Sequence, residues 1–433
     1  MTTQAVVYTV VHQPRRLKLP AQPIPYGASV QDIVHCVFDE PMNERYFRQV
    51  AHKSYYPATE RFLNLVQNTS FKLAIGFSIS FLQQAEKWDP ALLDRFKELV
   101  AHPNVELIGV EPYHNFVFLL DMPVFVQRMQ WMRKELLRIF GKEPIITDTT
   151  EMCMSASIYH ALEKAGFAGA VLDGREWVMG WRDPTHLYHY GGDLRLFTRH
   201  LKLSDDVGYR FSNRNWASYP LFADTYADWV RSTEGDFTFL AWDFETFGEH
   251  HWADTGIFQF LERLPDECER RGVRFVLPSE ALAQHRASAA HLPLPVFPTT
   301  WAGSGGMEFF MGNAAQQAIY QLMAHCYSVA QLTGKADLVD LALWMLQSDN
   351  LHLIQWFGTG GGSEAEVSAY FTPQEWWGLG PDNIIVEQQR VYQNVLRAME
   401  YHLPSRKSAH KPVSKRATKT ARDLVIPGVE QRY

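Results

Sequence analysis

Apolar residues recur through the first two thirds of the chain in short β-rich runs at residues 5–11, 72–79, 105–109, 144–148, 169–172, 237–243 and 274–276. Between several of them the pattern changes period. Residues 90–100 place Leu92, Leu93, Phe96, Leu99 and Val100 at helical spacing, and 123–140, 155–165 and 257–271 repeat that amphipathic pattern. Strands alternating with helices predict βα units around a parallel sheet, and this many of them predict a barrel. Such a fold collects its chemistry on the loops that follow the strands. The strand signal fades after the proline-rich stretch 291–300 (HLPLPVFPTT), which reads as a linker or wrapping strand. Helical periodicity then dominates at 313–332, 335–347 and 381–401. The expected organisation is a catalytic α/β domain at 1–290, the linker at 291–300, a helical domain at 301–403 and a disordered basic tail at 404–433.

Composition narrows the class. With 433 residues, 46% hydrophobic and 21% charged, the chain is long enough for a barrel-sized domain plus a module and too apolar for wholesale disorder. A net charge of -7 excludes the dominant basic field of a general nucleic-acid binder. Cys36, Cys153, Cys268 and Cys326 are far apart, so neither a zinc knuckle nor a disulfide framework is indicated. The N-terminus lacks a basic region followed by a long apolar stretch, so no signal peptide is expected. No run approaches the roughly 20 apolar residues that span a bilayer. A cytoplasmic protein without membrane or nucleic-acid partners is the expectation. The 13 Trp and 18 Tyr suit sugar binding and equally suit a large aromatic core.

Five stretches carry candidate chemistry. In FLAWDFETFGEHH an apolar run ends at Trp242 and is followed by Asp243, Glu245 and Gly248. Two carboxylates two residues apart point the same way on extended backbone, and their repulsion raises one pKa. In PIITDTTEMCMS, Glu151 lies in a polar turn between an apolar run and a helix, with Asp148 as a capping alternative. His12 follows the first strand in VVHQP. Glu106, Glu111 and His114 lie in NVELIGVEPYHN, and Asp349 lies in LQSDNLH. Each alone is as readily explained by structure as by chemistry.

Their order resembles glycoside hydrolase family 57, which is described by five short regions in fixed sequence. His12-Gln13-Pro14 resembles the first. Val105 to Gly109, with His114 eight residues after Glu106, is similar to the second. Thr150-Glu151 resembles the third, Asp243 to Gly248 (DxExFG) the fourth, and Gln347-Ser348-Asp349 the fifth. The third region usually has an aromatic residue shortly before its Glu; Ile146-Thr147-Asp148 stands there instead. The resemblance implies an incomplete (β/α)7 barrel followed by a C-terminal helical bundle. It also implies a retaining mechanism with no metal or other cofactor, Glu151 as nucleophile and Asp243 as general acid/base. His12, Glu106, His114, Trp242, Glu245 and Asp349 are then expected to bind substrate, and Trp301, Trp376 and Trp377 are candidates for stacking on further sugars.

The expected activity is α-amylase-like hydrolysis of α-1,4-glucans such as starch, glycogen and maltodextrins. 4-α-Glucanotransferase or branching activity is the alternative within the family. Two readings lie outside it: a non-catalytic glucan-binding protein, and a metal-dependent polysaccharide deacetylase using His12, Glu249, His250 and His251. The deacetylase reading lacks HxxxH spacing and leaves Glu151 without a role.

Overall fold

The computed structural model describes residues 2–357 and 373–404. The expected tail therefore falls, from residue 405 on, outside the described residues.

Among the described residues, ten strands form two sheets. They are β1 (Gln4–Val11), β2 (Leu73–Phe77), β3 (Val105–Ile108), β4 (Ile146–Thr147), β5 (Gly169–Asp173), β6 (Leu187–His189), β7 (Arg195–Arg199), β8 (Thr238–Asp243), β9 (Arg274–Phe275) and β10 (Ala290–His291). The first sheet runs β3-β2-β1-β8, with β9 also on β1; the second runs β10-β6-β7-β5-β4. All pairings are parallel except β6 with β7. β1 is buried along its whole length, which is why its sequence is a continuous apolar run rather than an alternating one. The sheets meet at one edge through the Gly109–Thr147 bridge, where Gly109 N–H donates to Ile146 O at 2.9 Å and Asp148 N–H to Gly109 O at 2.7 Å. At the other edge His200 N–H donates to Phe239 O at 2.8 Å.

Helices cover the sheets on the pattern their sequences predict. Pro90–Ala101, Met122–Phe140, Ala156–Lys164 and Ile257–Arg270 each start or end within a residue or two of the expected position. Asp89, Asp121 and Ser155 cap the first three by accepting a backbone N–H. The C-terminal region is helical at Ala314–Thr333, Ala336–Met345 and Pro381–Tyr401. No helix among the described residues is long and apolar enough to cross a membrane.

The stretch 291–300 pairs along its length with residues of the first 290 positions. Ala290–His291 pairs with β6, Ala156 N–H donates to Pro295 O at 3.1 Å, and Thr299 exchanges backbone hydrogen bonds with Met154. Strands β6 and β7 are not expected from sequence. β7 (RLFTR) has arginine at both ends, so its apolar run is too short to stand out.

Candidate functional site

One cavity of about 440 Å³ opens where β1, β3, β4, β7 and β8 end, and residues 301–352 close its far side. Glu151 and Asp243 both line it, together with His12, His114, Glu245 and Asp349.

Asp243 is the last residue of β8. The next ring, Phe244, packs into an aromatic cluster with Phe62 and Phe96, at 5.5 Å between centroids in each case. That anchor leaves Asp243 and Glu245 on the cavity side. Glu245 accepts a hydrogen bond from Tyr55 O–H, and Tyr55 in turn accepts one from Gln13. Burial pushes the Glu245 carboxyl well above the usual carboxylate range, and the neighbouring Asp243 charge adds to it. Gly248 closes the loop: at φ 114° it lies so close to Lys53 that an added Cβ would meet the Lys53 carbonyl oxygen.

Glu151 follows β4 on a turn in which Glu151 (φ 55°) and Met152 (φ 51°) both adopt left-handed conformations, which residues with side chains rarely take. Side chains around the turn enforce it. Thr149 Oγ1 donates to Cys153 O and Thr150 Oγ1 to Asn115 O, both at 2.6 Å, while Thr300 Oγ1 donates to Glu151 O at 2.8 Å. The carboxylate then receives Trp301 Nε1–H on one oxygen and Ser348 Oγ–H on the other, each at 2.8 Å. Burial, with the nearby Asp349 charge, raises its pKa against the opposing pull of His352 and these two donors.

His12 follows β1. Its Nδ1 lies 2.8 Å from Ser78 Oγ and its Nε2 3.1 Å from Asp349 Oδ2. Burial alone would raise the Asp349 carboxyl, but His12 and the nearby His114 and His352 bring it down to about 2. His114 stacks on His12 with centroids 4.3 Å apart, and burial lowers it to about 3. Its φ of 55° is imposed by Glu111, whose Oε2 gathers Tyr113 N–H at 2.9 Å and Asn115 N–H at 2.8 Å.

Two of the expected substrate residues are placed differently from the others. Glu106 is not among the cavity residues. It is the second residue of β3, toward the end of the strand away from the site, and its carboxylate accepts Ser279 N–H at 2.9 Å. Trp242 forms part of the cavity wall but is only 2% exposed, with its indole N–H donated to Ser204 O at 2.8 Å. It offers no open face to a sugar ring. Trp301 is the tryptophan at the carboxylates; Trp376 and Trp377 do not line the cavity. Sequence reasoning also misses Arg199 and Asp205 on the wall, and the roles of Ser348 and His352, although the last two stand in the LQSDNLH stretch.

Among the described residues, His12, His114 and Asp349 bring possible metal-ligating atoms within 4.8 Å of one another. The rings are stacked, their planes only 28° apart. A metal must lie near the plane of each imidazole that ligates it, about 2 Å from nitrogen. Planes so nearly parallel do not converge at that distance, and both His12 nitrogens are already engaged. The residues suit a hydrogen-bonded wall better than a coordination sphere. The deacetylase candidates fare no better. Glu249 pairs with Lys53 at 3.4 Å, and His251 Nδ1 lies 2.8 Å from Ser212 Oγ. Among the described residues, Glu249, His250 and His251 belong to no group of three possible ligands.

Comparison with known proteins identifies the family. Residues 6–294 match the profile of glycosyl hydrolase family 57. A Methanocaldococcus jannaschii protein, provisionally named an alpha-amylase, is 32% identical over 314 residues, 72% of this chain and 66% of that protein's length. Among solved structures, a family 57 branching enzyme from Pyrococcus horikoshii has a TM-score of 0.61 at 15% identity, covering 93% of this chain and 97% of that one. A 4-alpha-glucanotransferase from Thermococcus litoralis has 0.60 at 14%, covering 89% and 60%. An alpha-amylase from Thermotoga maritima has 0.52 at 11%, covering 92% and 99%. The structural likenesses show a shared fold, and the profile match and the sequence identity together show that the chain belongs to glycosyl hydrolase family 57.

Proposed function

We propose that the protein cleaves α-1,4-glucosidic bonds of starch-like or glycogen-like glucans with retention of configuration, Glu151 acting as nucleophile and Asp243 as general acid/base. The two sheets are read as the walls of an incomplete (β/α)7 barrel at 1–290, and the helical region 301–403 supplies Trp301, Ser348, Asp349 and His352 to its open side. The observation that carries the proposal is that Glu151 and Asp243, 92 positions apart by number (243 − 151), line one cavity, and that Glu151 is oriented there by two donors.

In the first step a Glu151 oxygen bonds to the anomeric carbon while Asp243 gives its proton to the departing glucosidic oxygen. The glucosyl ester on Glu151 is then attacked by a hydroxyl whose proton returns to Asp243. His12, His114, Glu245 and Asp349 are placed to bind sugar hydroxyls. If water attacks, the result is hydrolysis, as in an α-amylase; if a sugar hydroxyl attacks, the result is transfer. Transfer is the second reading, favoured by the structural likeness to a branching enzyme and a 4-alpha-glucanotransferase.

Glu151→Gln should abolish turnover of maltoheptaose, and azide should restore part of the activity of Glu151→Ala with inverted product configuration. Normal turnover by Glu151→Gln overturns the assignment. Shorter products alone indicate hydrolysis, and products longer than seven glucoses indicate transfer. Binding of soluble starch without any turnover would leave a glucan-binding protein.

A further inference from the structure

Behind the cavity, at the end of β5, Asp173 is fully buried and holds two arginines. Its Oδ1 lies 3.0 Å from Arg199 Nη1, and its Oδ2 forms an ion pair with Arg175 Nε at 2.5 Å. Burial pushes the carboxyl up and the two guanidinium groups pull it down, so its charge depends on both partners. Each arginine then reaches a different wall. Arg175 donates Nη1–H to Gly303 O at 2.9 Å and Nη2–H to Trp301 O. Trp301 is the residue whose indole N–H meets Glu151. Arg199 donates Nε–H to Ala241 O at 3.1 Å, in β8 two residues before Asp243, and pairs with Asp205 at 2.7 Å.

The surrounding backbone fits this arrangement. A Cβ on Gly174, between Asp173 and Arg175, would lie 2.5 Å from Arg199 O, and one on Gly305 would lie 2.8 Å from the Arg175 side chain. Both glycines permit approaches that the arginines need. A buried ion triad contributes little net stability compared with an apolar replacement, so stability alone does not account for it.

We propose that Asp173 is a positioning residue for both carboxylates: one oxygen fixes, through Arg175, the loop whose Trp301 orients Glu151, and the other fixes, through Arg199, the strand end that carries Asp243. This rests on Glu151 and Asp243 being the reacting pair. Asp173 touches no substrate. It sets the separation of two groups that must act on opposite sides of one bond.

The test is the pH dependence of kcat and KM on maltoheptaose for the full chain and its Asp173→Asn, Arg175→Lys, Trp301→Phe and Asp173→Asn/Trp301→Phe variants. Arg175→Lys keeps the charge beside Asp173 and loses the fork onto the Trp301 loop. A misplacement of about 1 Å costs on the order of 100-fold in rate, so kcat of Asp173→Asn should fall at least about tenfold with KM changed less than about threefold. Removing or loosening the indole donor weakens support of the ionised carboxylate, so the acidic limb of kcat/KM should move to higher pH in all three single variants. The double variant should lose less than the product of the two single losses, because the arm through Arg175 is shared and only the arm through Arg199 is not. Multiplicative losses in the double variant, or an unmoved acidic limb in Asp173→Asn, overturn the proposal. Should Asp173→Asn fail to fold, an unmoved acidic limb in Arg175→Lys overturns it equally. Loss of activity in Glu151→Gln with wild-type profiles in both Asp173→Asn and Arg175→Lys defeats this inference alone. Normal turnover by Glu151→Gln defeats the reading beneath it.

Discussion

Replacing Asp148 by asparagine should remove a large part of the protein's pH-dependent instability near neutrality. Asp148 is 2% exposed, below the cavity floor, where its Oδ2 accepts Tyr8 O–H at 3.0 Å and its Oδ1 accepts Thr149 N–H at 2.7 Å. Burial raises its pKa to about 8; the two donors oppose the rise, and the charges of Glu151 and Asp243 reinforce it. An unfolded aspartate titrates near 3.9. Below that value both states carry the proton and the group contributes its full stability. As pH rises toward 8, the folded state keeps a proton that the unfolded state has lost, so stability falls. The slope for one such proton is about 1.4 kcal/mol per pH unit. Between pH 5 and pH 7 the wild type should therefore lose about 3 kcal/mol from this group that Asp148→Asn does not lose. Asparagine presents one acceptor where the acid has two, a cost of about 1–3 kcal/mol that is independent of pH. Urea unfolding at pH 5, 6 and 7 separates the two effects: the cost displaces the whole curve, and the linkage changes its slope. Parallel pH profiles for wild type and variant would refute the reasoning.

Other perturbations probe the site from different directions. Asp243→Asn should reduce hydrolysis of maltodextrins by roughly 100-fold or more yet spare an aryl glucoside whose leaving group needs no proton, a contrast read by comparing kcat/KM on the two substrates. Tyr55→Phe removes the O–H that meets buried Glu245, so thermal unfolding should report a loss of about 1–3 kcal/mol. Gly174→Ala forces a Cβ against the Arg199 carbonyl oxygen, and its midpoint in urea should show a loss of about 1–3 kcal/mol or more. Dialysis against a chelator should leave turnover within about twofold, since two carboxylates suffice for the proposed chemistry; activity lost and then restored by zinc would contradict that reading.

How much of this is legible in the sequence differs residue by residue. The strands β1, β2 and β8 stand out because both their faces are buried, which leaves continuous apolar runs. β7 does not, because Arg199 is a buried charge whose partners, Asp173 and Asp205, come from other segments. A hydropathy pattern scores such an arginine as surface. That Glu106 lies away from the cavity is not legible in the sequence, because spacing identifies a strand without saying which end of it a polar residue occupies; the strand continues past it to Ile108. Trp242 and Trp301 illustrate the same gap for aromatics. One is sealed against Ser204 and the other meets Glu151, and nothing within either local sequence distinguishes them. Asp243 and Glu245 face the same way as their spacing predicts, although the backbone between them turns rather than extends, because Phe244 anchors the turn in the aromatic core.

The likeness of the fifth motif to its family, weak as sequence, gains a physical meaning from its partners. Gln347 pairs with backbone rather than with another side chain: Arg15 N–H donates to its Oε1 at 3.0 Å and its Nε2 donates to Arg15 O at 2.6 Å. It therefore holds the chain just after His12-Gln13-Pro14 much as a neighbouring strand would. Ser348 N–H donates to His114 O at 2.9 Å, so the next residue binds the loop after β3. Only then come the groups that face the cavity: Ser348 Oγ on Glu151, Asp349 on His12, and His352 on the wall. The short connection between two helices far along the chain thus locks the loops after β1, β3 and β4 into one frame. That frame explains why the left-handed backbone at His114 and Glu151 is tolerated. Each is held by contacts from outside its own turn, so relaxing one would break hydrogen bonds in another, and the cost of the strained conformation is spread over the whole site.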